Sequence, residues 1–216
     1  MKQKQNYLLP VCSALLFIIL VIILKTVDVA ATGPNSVEVG LSHLNGAVHN
    51  LTGSSKIWFY ITEATGYTAI ASGFVFVILG LIQLIKRKSF LKVDGEIYAV
   101  GVLYVVLGII YVISDKITLN LRPILAPGET VLESSFPSSH SLLSVTVTVS
   151  MIMLIKKYIK NKLLRQILIS LCAAIATITV VGRLLSGVHW FTDILGSLIL
   201  SVFLLSVFKL FVKTNE

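Results

Sequence analysis

Acidic residues, cysteine and tryptophan are all scarce in this chain. Its 216 residues include 10 Asp and Glu, 2 Cys and 2 Trp, and only 13% are charged. A soluble domain of ordinary composition carries about 25% charge, so there is too little polar material to cover a water-facing surface. Cys12 and Cys172 both fall within apolar runs, which excludes a disulfide scaffold and leaves two small apolar thiols. No internal repeat or low-complexity tract occurs. What is present is apolar: 56% of the residues are hydrophobic.

The apolar residues gather into six runs, at 7–24, 68–85, 93–113, 141–155, 167–185 and 191–212. A helix needs about 17–25 residues to cross a hydrocarbon core. The expected fold is therefore all-α, a polytopic membrane protein of six transmembrane helices, with residues 1–216 forming one integral-membrane domain. The fourth run is short and rich in Ser and Thr. The first follows MKQKQ and also fits a signal peptide with a weak cleavage site at 29–31, a reading its length disfavours.

Basic residues set the expected orientation. Lys2 and Lys4, Lys86 to Lys88 with Lys92, Lys156 to Arg165, and Lys209 with Lys213 fall in alternate connections. The positive-inside rule puts these segments and both termini in the cytoplasm. The net charge of +8 is then explained by topology and contact with anionic lipid, with no nucleic-acid partner required. The first outer connection carries a helix-start pattern, Asn35 with Glu38, followed by Val37, Leu41, Leu44, Val48 and Leu51 at near-helical spacing. This predicts a short amphipathic helix over 36–50 on the outer interface, with surface roles for His43 and His49. Asn50-Leu51-Thr52 matches a glycosylation sequon, a signal only three residues long.

On this topology the remaining polar residues share one side. Lys116, Arg122, Ser138, Ser139 and His140 come from the long third outer segment, and Arg183, His189 and Asp193 flank the last outer turn. A charge at membrane depth costs about 2.5–3.5 kcal/mol or more, so such a gathering calls for a function. Three cations suit an anion with several oxygens, and the guanidinium fork matches phosphate. A helix starting near Ser138 adds free backbone N–H groups. His189 and Asp193, four apart, share a helical face, so the carboxylate can orient the imidazole as a nucleophile. His140 is placed to protonate a leaving oxygen. Each residue alone has an ordinary reading: Arg183 as a snorkelling anchor, His140 as a helix-start residue, Lys116 as an interfacial cation, Asp193 as a partner of the helix dipole. His140, His189 and Asp193 could also ligate zinc, against the repulsion of three nearby cations.

Lys116-x5-Arg122-Pro123, Pro137-Ser138-Ser139-His140 and Gly182-Arg183-x5-His189-x3-Asp193 stand in that order. Together they resemble the type 2 phosphatidic acid phosphatase superfamily, with its K-x6-R-P, P-S-G-H and S-R-x5-H-x3-D segments, over nearly the whole chain. The resemblance implies hydrolysis of a phosphate ester or anhydride through a phosphohistidine, without metal or other cofactor. It casts His189 as nucleophile, Asp193 as its partner and His140 as acid. Lys116, Arg122 and Arg183 would hold the phosphoryl oxygens, with Ser138 and Ser139 beside them. The implied substrate is a membrane lipid phosphate met at the outer face of a bacterial cell membrane: undecaprenyl diphosphate first, then phosphatidylglycerophosphate or phosphatidic acid. A lipid-phosphate binding or transport protein that does not hydrolyse its ligand is the alternative. The chain departs from the pattern in three places. Lys116 is one residue nearer Arg122, a helical offset that lands about 120° round from the site-facing position. Ser139 replaces a glycine, and Gly182 replaces a serine.

Overall fold

A computed structural model of the chain describes residues 7–212; Lys2, Lys4 and Lys213, expected in the cytoplasm, lie outside the described residues. Six helices are long and apolar enough to cross a membrane: α1 Leu8–Thr26, α3 Lys56–Arg87, α4 Gly95–Lys116, α5 Ser139–Tyr158, α6 Lys162–Leu185 and α7 Phe191–Phe211. They correspond one for one to the six apolar runs. A shorter helix, α2 Ser42–Thr52, and a two-stranded hairpin, β1 Ala30–Thr32 with β2 Val37–Val39, occupy the connection between α1 and α3.

The largest departure is at the start of α3, which begins at Lys56 rather than near residue 68. Ser55 caps it by accepting a hydrogen bond from the Trp58 N–H. The first three turns, KIWFYITEATGY, hold Lys56, Glu63 and two Thr, so hydropathy alone marks them as loop. At 1.5 Å per residue, 32 residues span about 48 Å against a hydrocarbon core of about 30 Å. The amino-terminal end of α3 therefore has length to spare beyond the apolar layer, and it lines the site described below.

The amphipathic helix expected over 36–50 is corrected at its beginning. Val37, Glu38 and Val39 alternate buried, exposed, buried and pair with Ala30–Thr32, so a period of two prevails there. Asn35 and Glu38 form no capping box. The cap of α2 comes from Asp28, which accepts from the His43 N–H at 2.9 Å and the Ser42 hydroxyl at 2.8 Å. The inward face of α2 is polar and small, Ser42, Asn45, Gly46 and His49, while Leu44 and Leu51 are exposed. Asn45 joins α2 to the start of α7, donating to Thr192 Oγ1 at 3.0 Å and accepting from the Thr192 N–H at 3.2 Å. His43 is exposed as expected; His49 instead is buried with its ring 5.7 Å from that of Trp190.

Helix α5 is the centre of the bundle, packed against α3, α4, α6 and α7, while α1 runs along α7. Its Ser and Thr content, which shortened the apolar run, forms interhelical bonds. Ser144 donates to Thr179 Oγ1 at 3.2 Å, Thr146 donates to Ser201 Oγ at 3.2 Å, and Thr65 and Thr179 share a bond of 2.8 Å. In an apolar surrounding each such pair contributes about 0.6 kcal/mol. Apolar packing dominates toward the other end, through Phe76, Leu103, Leu107, Leu154, Leu204 and Phe208. That end closes on a polar knot. Lys157 lies 2.6 Å from Glu96 and 3.5 Å from Asp94, and Arg87 2.7 Å from Asp94. Gln83 and Tyr158 also donate to Asp94, at 3.0 and 3.2 Å.

Candidate functional site

At the opposite end, the segment between α4 and α5 is pinned rather than loose. Leu121 and Ser134 form an antiparallel bridge, the Arg122 N–H donates to the Glu133 carbonyl, and the Ser135 N–H donates to the Asn120 carbonyl. This ladder sets Arg122 beside the residues that lead into α5. The Arg122 guanidinium is held at one corner by Glu133, 2.9 Å away, and its Nε remains without a partner.

Arg183, in the last turn of α6, is fully buried. Its Nη2 bonds to Glu63 Oε1, and its guanidinium carbon lies 5.3 Å from the centre of the Phe59 ring. Nε and Nη1 have no partner among the described residues. The chain then turns through Gly187, whose φ of +74° suits only a residue without a side chain at that point, since a Cβ would also meet Ser54 at 2.7 Å.

His189 follows in that turn. Its Nδ1 lies 3.1 Å from the Ser135 carbonyl oxygen and 3.5 Å from Asp193 Oδ2. A carbonyl only accepts, so Nδ1 carries the proton and the Nε2 lone pair is free. Nε2 is buried and unpartnered. Burial pushes the His189 pKa well below its ordinary 6.5; the positive charges of Arg122, Arg183 and His140 add to this, and the bond to Ser135 opposes it. The ring is therefore neutral at pH 7. Asp193, in the first turn of α7, is fully buried and accepts from the Trp190 N–H at 2.8 Å and from Asn120 Nδ2 at 3.5 Å. The expected His189–Asp193 pairing is thus a longer contact, and the nearer orienting group is the Ser135 carbonyl.

His140 enters from the first turn of α5. Its Nε2 lies 3.2 Å from Glu63 Oε1, and its Nδ1 is buried without a partner. Ser138 is fully buried, but its hydroxyl donates to Ser141 and its N–H to the Asp193 carbonyl, so both donors are engaged internally. Ser139 is the first residue of α5 and partly exposed.

The structure thus brings together Arg122, His140, Arg183, His189 and Asp193, with Ser138 and Ser139 alongside. Lys116 does not join them. It ends α4 exposed to solvent, with no hydrogen bond or ion pair of its side chain among the described residues. Its assignment to the phosphate is corrected. Helix α4 ends at Lys116 and the backbone is extended at Ile117, so Lys116 and Arg122 share no helix, and the loop between them rather than a helical offset sets where Lys116 stands. No group of three or more His, Cys, Asp and Glu side chains stands together as a metal cage among the described residues.

Sequence reasoning missed Glu63, Asn120 and Ser135. Glu63 lies in the turns of α3 that hydropathy assigned to a loop. A signal was available: Trp58, Thr62, Gly66 and Tyr67 recur around it at helical spacing. Gly182 also has an explanation. A Cβ there would meet Thr62 Cγ2 at 2.4 Å and Trp58 Cε3 at 2.9 Å, so the glycine in place of serine admits α3 against α6.

A family model described as the PAP2 superfamily matches residues 49–216. Among solved structures the chain is similar to the crystal structure of the first transmembrane PAP2 type phosphatidylglycerolphosphate phosphatase from Bacillus subtilis. The TM-score is 0.63 and the identity 21%, over 94% of this chain and 95% of that one. No curated protein matches.

Proposed function

This chain belongs to the PAP2 superfamily, and on that premise we propose that it is an integral-membrane phosphatase that removes a terminal phosphoryl group from a membrane lipid. One observation carries the reading. Five buried nitrogen atoms, Arg122 Nε, Arg183 Nε and Nη1, His140 Nδ1 and His189 Nε2, have no partner among the described residues. Leaving a buried polar group unsatisfied costs about 1–3 kcal/mol, more for charged groups. A phosphoryl group, with several oxygens and negative charge, satisfies the guanidinium donors and presents its phosphorus to the free lone pair of His189.

The reaction then runs in two displacements. His189 Nε2 gives its electron pair to phosphorus, the bond from phosphorus to the lipid oxygen breaks, and that oxygen takes a proton from His140. The ring of His189 becomes cationic on phosphorylation, and Asp193 and the Ser135 carbonyl stabilise it from the Nδ1 side. Water next attacks phosphorus, giving a proton back to His140, and the N–P bond returns its pair to Nε2 as phosphate leaves. Arg122 and Arg183 hold the equatorial oxygens through both steps, the charge work that pre-set donors perform in a water-poor site. No metal or other cofactor has a part in this sequence. The basic segments around Lys86 to Lys88 and Lys156 to Arg165 lie at the far end of the bundle from the site. That arrangement supports a multi-pass cell-membrane protein with cytoplasmic termini and its site facing outward.

The test is phosphate release by detergent-purified protein, in the presence of a chelator, from undecaprenyl diphosphate, phosphatidylglycerophosphate and phosphatidic acid, tried in that order. Release is expected to fall by roughly 10⁴-fold or more in His189→Ala, since no nucleophile remains. Because burial keeps the His189 ring unprotonated, the acid limb of the rate profile should lie below pH 6.5. Activity lost to the chelator and restored by zinc would overturn the mechanism. Tight binding of the lipids without release would make the protein a carrier.

A further inference from the structure

Glu63 has no part in the sequence motifs, yet its carboxylate stands between two of the groups just assigned. Oε1 bonds Arg183 Nη2 and lies 3.2 Å from His140 Nε2. The approach that brings it there is built into three helices. Gly182 on α6 leaves space that Thr62 and Trp58 of α3 fill, and Gly66 on α3 leaves space for the His140 ring, where a Cβ would meet Cδ2 at 2.6 Å. Tyr67 closes the other side, its ring edge-on to His140 at 6.4 Å. Thr62, Glu63 and Gly66 fall within about 100° of arc on α3, with Trp58 and Tyr67 flanking them on either side, so this half of the helix forms the wall of the site.

The two imidazoles then make a pair. Each has one nitrogen held by an oxygen and the other buried without a partner. On His189 the holder is the neutral Ser135 carbonyl; on His140 it is the Glu63 carboxylate. A neutral acceptor suits a ring that must offer a lone pair. A carboxylate favours the charged ring, the form that gives up a proton.

We propose that Glu63 is a positioning residue for the proton donor: from its place between Arg183 and His140 it occupies His140 Nε2, so that His140 Nδ1 faces the leaving oxygen. This rests on the phosphatase reading above. Its bland rival is that Glu63 only neutralises the buried Arg183, which would bear on phosphate binding and not on the leaving group.

Leaving groups separate the two. The oxygen leaving phosphatidic acid needs a proton, whereas 4-nitrophenolate leaves 4-nitrophenyl phosphate without one. Wild type, Glu63→Gln and Glu63→Ala are compared on both substrates in detergent micelles, with thermal unfolding followed in parallel. Glu63→Gln is expected to lower kcat on phosphatidic acid by roughly 10²-fold and on 4-nitrophenyl phosphate by less than about tenfold. Glu63→Ala should do the same more strongly; if it fails to fold, the nearly isosteric Gln variant carries the test. An equal loss on both substrates, no loss on either, or a gain on both would overturn the proposal, the last by showing that Glu63 blocks the phosphate position. Phosphatidylglycerophosphate, whose leaving oxygen also needs a proton, replaces phosphatidic acid if wild type prefers it. If wild type cleaves none of the three lipids and not 4-nitrophenyl phosphate either, the phosphatase reading itself fails, a result separate from any effect of position 63.

Discussion

Lys157 and Arg183 are both cations near the ends of transmembrane helices, and their surroundings differ in kind. Lys157 sits between Glu96 and Asp94, and Asp94 is further bound by Arg87, Gln83 and Tyr158. Arg183 has one carboxylate, shared with His140, and two nitrogen atoms left over. The first end of the bundle is closed on itself, with charges balanced by charges. The second is incomplete among the described residues, and that imbalance is what makes it the candidate binding place rather than a brace. Burial alone does not separate them, because buried polar residues occur throughout the bundle.

The comparison can be broken at either end. Arg183→Ala should lower kcat/KM for a lipid phosphate by roughly 10²–10³-fold, the usual cost of one pre-set donor to a developing charge, and steady-state kinetics on the preferred lipid would show it. A drop smaller than tenfold would mean that its free nitrogen atoms do not face substrate. Gly182→Ser asks how tightly α3 is seated against α6. The added atoms enter space held by Thr62 and Trp58, so stability should fall by about 1–3 kcal/mol, read as a lower unfolding midpoint in detergent with reduced activity. Lys157→Met should do least to activity. It removes the contacts to both Glu96 and Asp94 and leaves the buried Glu96 carboxylate without its cation, so the unfolding midpoint should fall, whereas phosphate release by the folded protein should stay at the wild-type rate. A large loss of activity there would show that the two ends are coupled.

Much of this was legible in the sequence because the membrane enforces it. Six apolar runs gave six helices, and Arg122, His140, Arg183, His189 and Asp193 lie together at the end of the bundle away from the basic segments around Lys86 to Lys88 and Lys156 to Arg165. What escaped notice did so for physical reasons. Hydropathy reads the apolar layer, so the turns of α3 that leave that layer, and Glu63 with them, looked like loop. The Ser and Thr of α5 lowered its score because hydropathy counts a hydroxyl as exposed, whereas here it bonds to a neighbouring helix. The spacing of Val37, Leu41 and Leu44 fitted a helix, but Val37-Glu38-Val39 fits a strand equally, and the partner strand at Ala30–Thr32 decided it. Ser135 acts through its carbonyl, which every residue has, so no side-chain pattern could mark it. Lys116 shows the reverse: a residue type of the right kind, one position from where a motif wants it, turned to solvent.

The tryptophans have a practical consequence. The chain has only two. Trp190 adjoins His189 and is fully buried, its indole N–H donating to the Leu121 carbonyl at 2.8 Å, and Trp58 packs over Gly182. Tryptophan emission, excited at the red edge where the 7 tyrosines do not absorb, therefore originates at the end that holds the candidate site, so vanadate or product titrations could be followed optically without attaching a dye.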